Sequence, residues 1–315
     1  MSGTVTPSGP DGVVVIDKEA GWTSHDVVAR CRKILSQRKA GHAGTLDPGA
    51  TGVLLVGLGR ATRLLRYLTA LEKTYTAEVV FGATTRSDDD AGEVIARYDM
   101  ASLPLDEVQA AAGTLTGPID QVPPMVSAIK VAGERLHKLS RQGRVVDRAA
   151  RRVTVHSFVV GLPQAPAGDL AAGEKAFAVE VRCSSGTYVR ALARDLGTML
   201  GGGAHLRNLR RARIGSFDVR DAATLAALSY DMILPPAVAM RDYPHSAPGG
   251  AVCEELSHGR YVARASLGPA CAGDGPWAVV ADTGRLVAMC SPRPDGLVGP
   301  DVVVAPASGH PRHDG

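Results

Sequence analysis

The order of apolar and polar positions divides the chain into short strands and helices. Short apolar runs and stretches of alternating polarity predict strands at residues 12–17, 53–59, 73–81, 126–131, 153–160 and 177–183. Helical spacing predicts helices at residues 24–35, 60–68, 105–112, 134–142 and 187–200. These elements do not alternate as regular βαβ units. The pattern therefore predicts an α+β fold with a mixed, largely antiparallel sheet.

The pattern changes near Leu234. Residues 235–306 have short apolar runs, many Gly and Pro residues and little helical periodicity, which predicts a small β-rich C-terminal domain. Residues 12–234 then form the main domain. The two ends of the chain, residues 1–11 and 307–315, are expected to be disordered tails.

Composition narrows the class of protein. Hydrophobic residues make up 45% of the chain and charged residues 21%, which is typical of a soluble globular protein. No apolar run reaches the roughly 18 residues of a membrane span, and the N-terminus lacks the features of a secretory signal. The five cysteines are scattered and form no Cys-x-x-Cys pair, so a reducing cytoplasm fits best. No metal is predicted, because no ligand spacing indicates one.

The net charge of +3 hides an uneven distribution. Residues 130–152 carry eight Lys and Arg against two acids, and residues 207–213 carry four arginines and no acid. Residues 241–315 carry six arginines against eight acids. Two basic segments in the middle of the chain indicate a polyanionic partner such as nucleic acid. A solvated charged face remains the simpler alternative for either segment.

One loop carries a single carboxylate among glycines. Residues 41–52 read GHAGTLDPGATG and precede a short apolar strand. Pro48 disfavours the α region for Asp47 and pushes it towards extended geometry. Asp-Pro-Gly is also good turn chemistry, so an ordinary turn explains the tripeptide by itself. A lone acid held stiffly before a core strand nevertheless points to a carboxylate that performs chemistry.

Six segments together resemble the TruB family of tRNA pseudouridine synthases, over roughly residues 12–230. They are residues 12–18, 41–52, 73–75, 123–130, 184–192 and 205–211. The resemblance implies isomerisation of uridine 55 in the T loop of tRNA, by cleavage of the N1–C1′ bond and reattachment through C5, without a cofactor. It also implies a mixed sheet flanked by helices and loops, a flexible thumb at about residues 125–152, and a small PUA-type C-terminal domain. Beyond residue 230, only residues 256–260, LSHGR, resemble the PUA pattern.

The resemblance assigns the catalytic roles to three residues. Asp47 is the expected nucleophile, because a carboxylate can form a covalent intermediate and then leave. Arg190 is expected to pair with Asp47 bidentately and to fix its orientation. Tyr75 is expected to stack on uracil or to move a proton at C5. Without the resemblance, a surface arginine on a helix is the preferred interpretation of Arg190. An ordinary sheet-face tyrosine is an equally good interpretation of Tyr75.

Further residues are expected to bind the substrate. The contacts nearest the base are assigned to His42, Lys18, Tyr188 and Leu209, and those to the RNA backbone to Lys130, Arg207, Arg210 and Arg211, with Arg213 beside them. The simpler alternatives are a turn histidine at 42, a solvated strand end at 18, a sheet-face tyrosine at 188 and core burial of Leu209. For Lys18, two functional roles are considered, namely contact with a phosphate and bracing of the Asp47 loop.

The expected partner is the T arm of tRNA, whose target base must leave its stack before Asp47 can reach it. No obligate protein partner is expected, and the chain is predicted to be a monomer. Two other functions stay open: a guide-RNA-dependent synthase subunit, and an RNA-binding module that folds tRNA. Three routes also stay open for Asp47, namely attack at C6, attack at C1′, and deprotonation of the sugar.

Overall fold

The computed structural model describes residues 9–125, 148–162 and 169–304, together with the backbone of residues 130–131 and 134–135. Within these ranges the strands form two main sheets, one of nine strands and one of five. Most of the predicted thumb therefore lies outside the described residues. None of the helices in the described ranges is both long and apolar enough to cross a membrane.

The helices and strands have the following bounds. The helices are α1 Ser24–Ile34, α2 Leu65–Ala70, α3 Leu105–Thr114, α4 Val189–Met199, α5 Pro236–Ala239 and α6 Gly250–Ser257. The first nine strands are β1 Gly12–Lys18, β2 Ala40–Ala43, β3 Thr51–Leu58, β4 Lys73–Phe81, β5 Ala83–Thr85, β6 Val94–Arg97, β7 Gly117–Gln121, β8 Lys130–Val131 and β9 Glu134–Arg135. The others are β10 Arg151–Gly161, β11 Lys175–Cys183, β12 Ala204–Ile214, β13 Phe217–Asp218, β14 His245–Ser246, β15 Val262–Ala263, β16 Trp277–Val280, β17 Leu286–Pro292 and β18 Leu297–Val303.

The structure confirms the α+β class and most predicted elements. It adds the short strands β2, β5, β6 and β7, which were not predicted, and it differs at three further places. The predicted helix at 134–142 is wrong at its start, because Glu134–Arg135 pairs as a strand with Lys130–Val131; residues 136–142 lie outside the described ranges. The predicted helix at 60–68 is a 3₁₀ segment, Gly59–Leu64, followed by α2. The long strand β12 was not predicted, because its four arginines obscure the alternation of apolar side chains.

The helix α1 begins where the sequence predicts, at a reciprocal cap. The Thr23 hydroxyl accepts a hydrogen bond from the Asp26 backbone N–H at 3.1 Å, and the Asp26 carboxylate accepts one from the Thr23 N–H at 3.0 Å. This capping box satisfies two amide donors that the first turn leaves without helical partners. Val27, Val28 and Cys31 form the buried face of the helix.

The large sheet is antiparallel except at one join. Its main order is β1-β3-β12-β4-β11-β10-β7, with β2 paired to β3 and β13 to β12. Strands β3 and β12 pair in parallel through Thr51 with Arg210 and Gly52 with Arg211. Gly52 has φ +101°, and a Cβ there would lie 2.2 Å from the Arg211 carbonyl oxygen. Only glycine allows this approach, which brings the end of the Asp47 loop against β12.

The two sheets share a hydrophobic core. One cluster joins Val13 and Phe217 of the large sheet to Met289 and Val302 of the five-stranded sheet. The Arg63 guanidinium also donates to the Val303 carbonyl oxygen at 2.7 Å. The C-terminal sheet therefore packs directly on the large sheet. The boundary between domains near residue 235 stays a prediction.

Candidate active site

The Asp47 loop is a hydrogen-bonded turn. The Ala50 N–H donates to the Asp47 carbonyl oxygen at 3.1 Å, which leaves Pro48 and Gly49 at the two central positions. Proline favours the first of these because its ring fixes φ. Asp47 is the first residue of this turn, and its side chain is 46% exposed there. The turn therefore presents the carboxylate to solvent.

Two buried side chains fasten this loop. The Ser24 hydroxyl donates to the Leu46 carbonyl oxygen and accepts from the Leu46 N–H, at 3.1 and 2.9 Å. The Lys18 ammonium donates to the carbonyl oxygen of Pro48 at 3.1 Å and to those of Trp22 and Glu19 at 2.8 and 3.0 Å. Three acceptors satisfy all three of its donors.

Lys18 is fully buried, so it is not a solvated strand end. Burial lowers the pKa of its ammonium, while the Asp47 carboxylate opposes that shift and Arg211 adds to it. A buried cation with three carbonyl partners serves as a brace for the residues on either side of it. Of the two roles considered for Lys18, the geometry supports bracing of the Asp47 loop and leaves no exposed ammonium for phosphate.

Arg190 lies in the first turn of α4 and contacts the Asp47 carboxylate. Its Nη2 is 2.9 Å from Asp47 Oδ2, and its Nη1 is 3.1 Å from Asp89 Oδ2 and 2.9 Å from the Ser87 carbonyl oxygen. The arginine side chain is only 6% exposed, which excludes a surface role. The guanidinium is therefore shared between two carboxylates.

Asp89 is a residue that the sequence did not single out. It lies in the polar loop between β5 and β6, next to Asp88, whose carboxylate contacts Arg194 at 3.2 Å. Arg190 and Arg194 are four residues apart and thus share one face of α4. Burial raises the pKa of Asp88, and the two arginines oppose that shift. The sequence offers one signal, the four-residue spacing of Arg190 and Arg194, and this spacing does not indicate which acids pair with the two arginines.

The start of α4 is held by a second overlooked residue, Gln121. Its side-chain oxygen accepts from the Tyr188 N–H at 2.8 Å, and its amide nitrogen donates to the Tyr188 carbonyl oxygen at 3.1 Å. Gln121 is 2% exposed. These two bonds fix the residue that precedes the arginine-bearing turn, so Gln121 orients Arg190 through the backbone.

A cavity of about 300 Å³ opens beside the carboxylate. Its walls include Asp47, Tyr75, Tyr188, Arg190 and Leu209, and its further lining includes Gly44, Thr45, Leu46, Thr69, Lys73, residues 184–187, Val189 and Arg211. This volume is at the lower end of the range for small-ligand sites. The structure thus brings Asp47, Tyr75, Arg190, Tyr188 and Leu209 together, as the sequence predicts.

Two groups in this cavity have shifted pKa values. Burial raises the pKa of the Tyr75 phenol, although the Arg211 guanidinium opposes the shift. The phenol is therefore protonated at neutral pH. The pKa of Lys73 is lowered to about 8, mainly by burial and partly by Arg211, against a small opposing effect from Cys183. The Lys73 ammonium donates to the carbonyl oxygens of Thr69 and Leu71 at 2.5 and 2.6 Å.

Leu209 reaches the cavity through an irregularity in β12. The register of β12 against β4 shifts between Arg207 and Arg210, and Asn208 has φ +56°. A bulge of this kind redirects the side chain beside it. Asparagine is among the residues that accept a left-handed conformation most readily. Leu209 also packs against the main hydrophobic core, which confirms the simpler core interpretation. Its contact with the substrate stays a prediction.

The arginines of β12 are less available to RNA than the sequence predicts. Arg211 is 1% exposed and donates to the carbonyl oxygens of Val53 and Gly44 at 2.8 and 3.0 Å. The prediction that Arg211 follows an RNA backbone is wrong, because it lies beneath the site rather than on the surface. Acidic side chains neutralise the other three: Glu78 contacts Arg207, Asp17 contacts Arg210 and Asp218 contacts Arg213. Contact of Arg207 and Arg210 with RNA stays a prediction.

His42 lies on β2, outside the lining of this cavity. Its ring meets the His25 ring edge-on, with 5.3 Å between centroids, and its Nδ1 is buried without a hydrogen-bond partner among the described residues. The pKa of His42 is lowered to about 4, mainly by burial and partly by the nearby His25 and Arg211. The ring is therefore neutral at physiological pH. Its contact with substrate stays a prediction, as does that of Lys130, whose side chain lies outside the described part of the chain.

Family models and known proteins match this chain over most of its length. The N-terminal domain model of the TruB family of pseudouridylate synthases matches residues 32–189, and the C-terminal domain model of tRNA pseudouridylate synthase B matches residues 190–235. A tRNA pseudouridine synthase B of Thermobifida fusca (strain YX) is 44% identical, over 94% of this chain and 99% of that protein. One of Nocardia farcinica (strain IFM 10152) is 49% identical, over 80% and 81%.

Solved structures agree on the fold. A chain in a crystal structure of a Cbf5-Nop10-Gar1 complex superposes with a TM-score of 0.68 at 27% identity, over 94% of this chain and 85% of that one. A chain of an H/ACA RNP bound to a substrate RNA containing 2′-deoxyuridine has the same TM-score at 24% identity, over 95% and 87%. With the family models matched across residues 32–235 and relatives aligned over most of its length, this chain belongs to the TruB family of pseudouridylate synthases.

Proposed function

We propose that this enzyme converts uridine 55 in the T loop of tRNA to pseudouridine, with Asp47 as the nucleophile. The observation that carries the proposal is the Asp47 carboxylate, held 2.9 Å from a buried arginine at the mouth of a cavity with an aromatic wall. Relatives that cover nearly the whole chain are named tRNA pseudouridine synthase B, which supports tRNA as the substrate.

The reaction fits a site built only from side chains. Uridine and pseudouridine are isomers: the N1–C1′ bond breaks, a C5–C1′ bond forms, a proton leaves C5 and a proton is gained at N1. No oxidant, reductant or cofactor is needed. Asp47 forms a transient bond or removes a proton, and either role requires an ionised and fixed carboxylate. Arg190 supplies the counter-charge and fixes the orientation of the carboxylate, because its buried guanidinium lies 2.9 Å from Asp47 Oδ2.

Tyr75 and Leu209 supply the surfaces for the base. The Tyr75 ring offers a face for stacking on uracil. Its protonated phenol is a potential donor, and burial maintains this state at neutral pH. The cavity is recessed, so the target nucleotide must rotate out of the T loop to reach Asp47. We assign the grip on the T arm to the thumb at about residues 125–152, including Lys130, and we assign a PUA-like fold to the C-terminal sheet of a monomer.

The test is to map pseudouridine in tRNA by mass spectrometry after incubation with the purified chain. Asp47→Asn should abolish product while the Kd for tRNA stays close to that of wild type, because the substitution removes the charge but keeps the shape. Substantial pseudouridine formation by Asp47→Asn would sink the assignment of the nucleophile.

The same assay separates the alternatives. A synthetic T-arm stem-loop should be modified by the chain without any other RNA or protein. A requirement for a guide RNA would favour the ribonucleoprotein alternative, which the fold shared with the Cbf5 complex brings into consideration. A wild-type phenotype of cells that carry Asp47→Asn would favour the tRNA-folding alternative.

A further inference from the structure

A dense positive surface lies at the end of α1 and in the loop that follows. It consists of five exposed side chains, which we call the α1 cationic surface: Arg30, Arg32, Lys33, Arg38 and Lys39. No acidic residue occurs between positions 27 and 39. Three of the five, together with Ser36 and Gln37, line an open depression at the end of the helix.

Within the part of the chain that the structure describes, these cations have no acidic partners. None of the five forms an ion pair with any residue in the described ranges, whereas Arg207, Arg210 and Arg213 are each neutralised by an acid. Asp11 is next to Pro10, whose carbonyl oxygen accepts from Gln37 at 3.2 Å. Its carboxylate nevertheless pairs with Arg60 at 3.7 Å. The uncompensated positive charge of this part of the fold therefore lies on the α1 cationic surface.

Helix stabilisation explains only part of this charge. Arg32 and Lys33 lie in the last turn of α1, where cations interact favourably with the helix dipole. Arg38 and Lys39 lie beyond the helix. Like charges placed close together repel one another, and a polyanion relieves that repulsion. A surface of five cations therefore suits a ligand with regularly spaced negative charges.

The position of the surface relative to Asp47 identifies that ligand. Ser24, at the start of α1, is hydrogen-bonded to Leu46 beside the catalytic acid. The helix has 11 residues and is thus about 16 Å long, and β2 runs back from its far end towards the Asp47 loop. A ligand that places one base at Asp47 therefore meets the cations roughly one helix length away.

We propose that the α1 cationic surface binds the phosphate backbone of the RNA stem that adjoins the target loop. Phosphate contacts by Lys and Arg provide affinity and register without reading sequence. The identity of the RNA rests on the proposed function. This surface would bind the RNA in addition to the thumb.

The experiment compares two triple variants of the full chain in the Asp47→Asn background. The test variant is Arg32→Gln, Lys33→Gln and Arg38→Gln. The control variant is Arg97→Gln, Arg220→Gln and Arg260→Gln, which removes the same charge from exposed arginines that already pair with acids. Binding of a labelled T-arm stem-loop is measured by fluorescence anisotropy at several salt concentrations, and thermal unfolding confirms that each variant is folded.

The test variant should raise Kd about 10- to 100-fold at low salt. It should also lower the slope of log K against log salt by about 2 to 3, because each lost phosphate contact removes about 0.7 to 0.9. The control variant should change the slope by less than about 1. A test variant that matches the control would overturn the inference, and so would a loss of affinity with no change in slope. Lack of pseudouridine formation by the wild-type chain would instead overturn the proposed function.

Discussion

Asp89→Asn tests whether the second carboxylate positions the catalytic arginine. The substitution removes one negative charge but keeps an oxygen that can accept a hydrogen bond from Arg190. In the structure the Nη1 of Arg190 lies 3.1 Å from Asp89 Oδ2, and the arginine side chain is 6% exposed. The guanidinium is too buried for water to replace the lost partner fully, and Asp47 then becomes its principal counter-ion.

The magnitude follows from this partial loss. Removing one partner of a buried ion pair costs about 3–5 kcal/mol when the remaining charge has no other partner. Arg190 keeps Asp47, so the cost is closer to that of one charged hydrogen bond, about 1.5–3 kcal/mol. Expressed wholly in the chemical step, this is about a 10- to 100-fold lower rate, since each 1.4 kcal/mol corresponds to a factor of ten.

The assay is the single-turnover rate of pseudouridine formation at saturating tRNA, measured beside the Kd for tRNA. The rate should fall and the Kd should change little, because Asp89 acts through Arg190 rather than on the RNA surface. Asp90→Asn is the matched control: it makes the same chemical change at an exposed neighbour, and it should leave the rate unchanged. A wild-type rate for Asp89→Asn, or a loss confined to Kd, would refute the reasoning.

Two further predictions concern stability. Gly52→Ala should lower the free energy of unfolding by about 3 kcal/mol or more, because φ is +101° and the added Cβ would lie 2.2 Å from the Arg211 carbonyl oxygen. Gly49→Ala is the control, because a Cβ at this position would meet no atom within 4 Å. It should change the free energy of unfolding, measured by urea titration, by less than about 1 kcal/mol. Equal losses for the two variants would contradict the close approach of β3 and β12 at Gly52. The pKa of His42 is lowered from 6.5 in the unfolded chain to about 4 in the folded protein. As the pH falls, the His42 ring is therefore protonated in the unfolded chain before it is protonated in the folded protein. The free energy of unfolding should decrease between pH 6.5 and pH 4 for this reason. Wild type should lose up to about 3 kcal/mol more than His42→Gln over that range, and parallel stability curves would show that the ring is not buried as described.

The local parts of the site follow from sequence because their causes are local. The Asp47 turn is set by Pro48 and Gly49, and the start of α1 by the Thr23–Asp26 cap, each within four residues. The cavity walls at Tyr75, Arg190 and Leu209 became predictable only through the family resemblance. The spacing of these residues along the chain does not indicate that they meet.

The missed features depend on contacts between distant segments. Asp89 is separated from Arg190 by 101 positions, and nothing near Asp89 distinguishes it from its acidic neighbours. The arginines of β12 appeared to be an RNA-binding cluster because their partners, Glu78 and Asp17, come from other strands. Net charge along a sequence counts these cations as available, whereas sheet register decides which of them are already neutralised.

The hydrophobic cluster shared by the two sheets has a consequence for how the protein loses its structure. Met289 and Val302 pack with Val13 and Phe217 across the join, so separating the sheets exposes apolar surface on both. Local opening at this join therefore costs free energy on both sides, and the C-terminal sheet is expected to unfold together with β1 and β13 as one cooperative unit. A fragment truncated after residue 235 would retain the catalytic residues. It would also expose the apolar surface that the C-terminal sheet covers, and exposed apolar surface favours self-association.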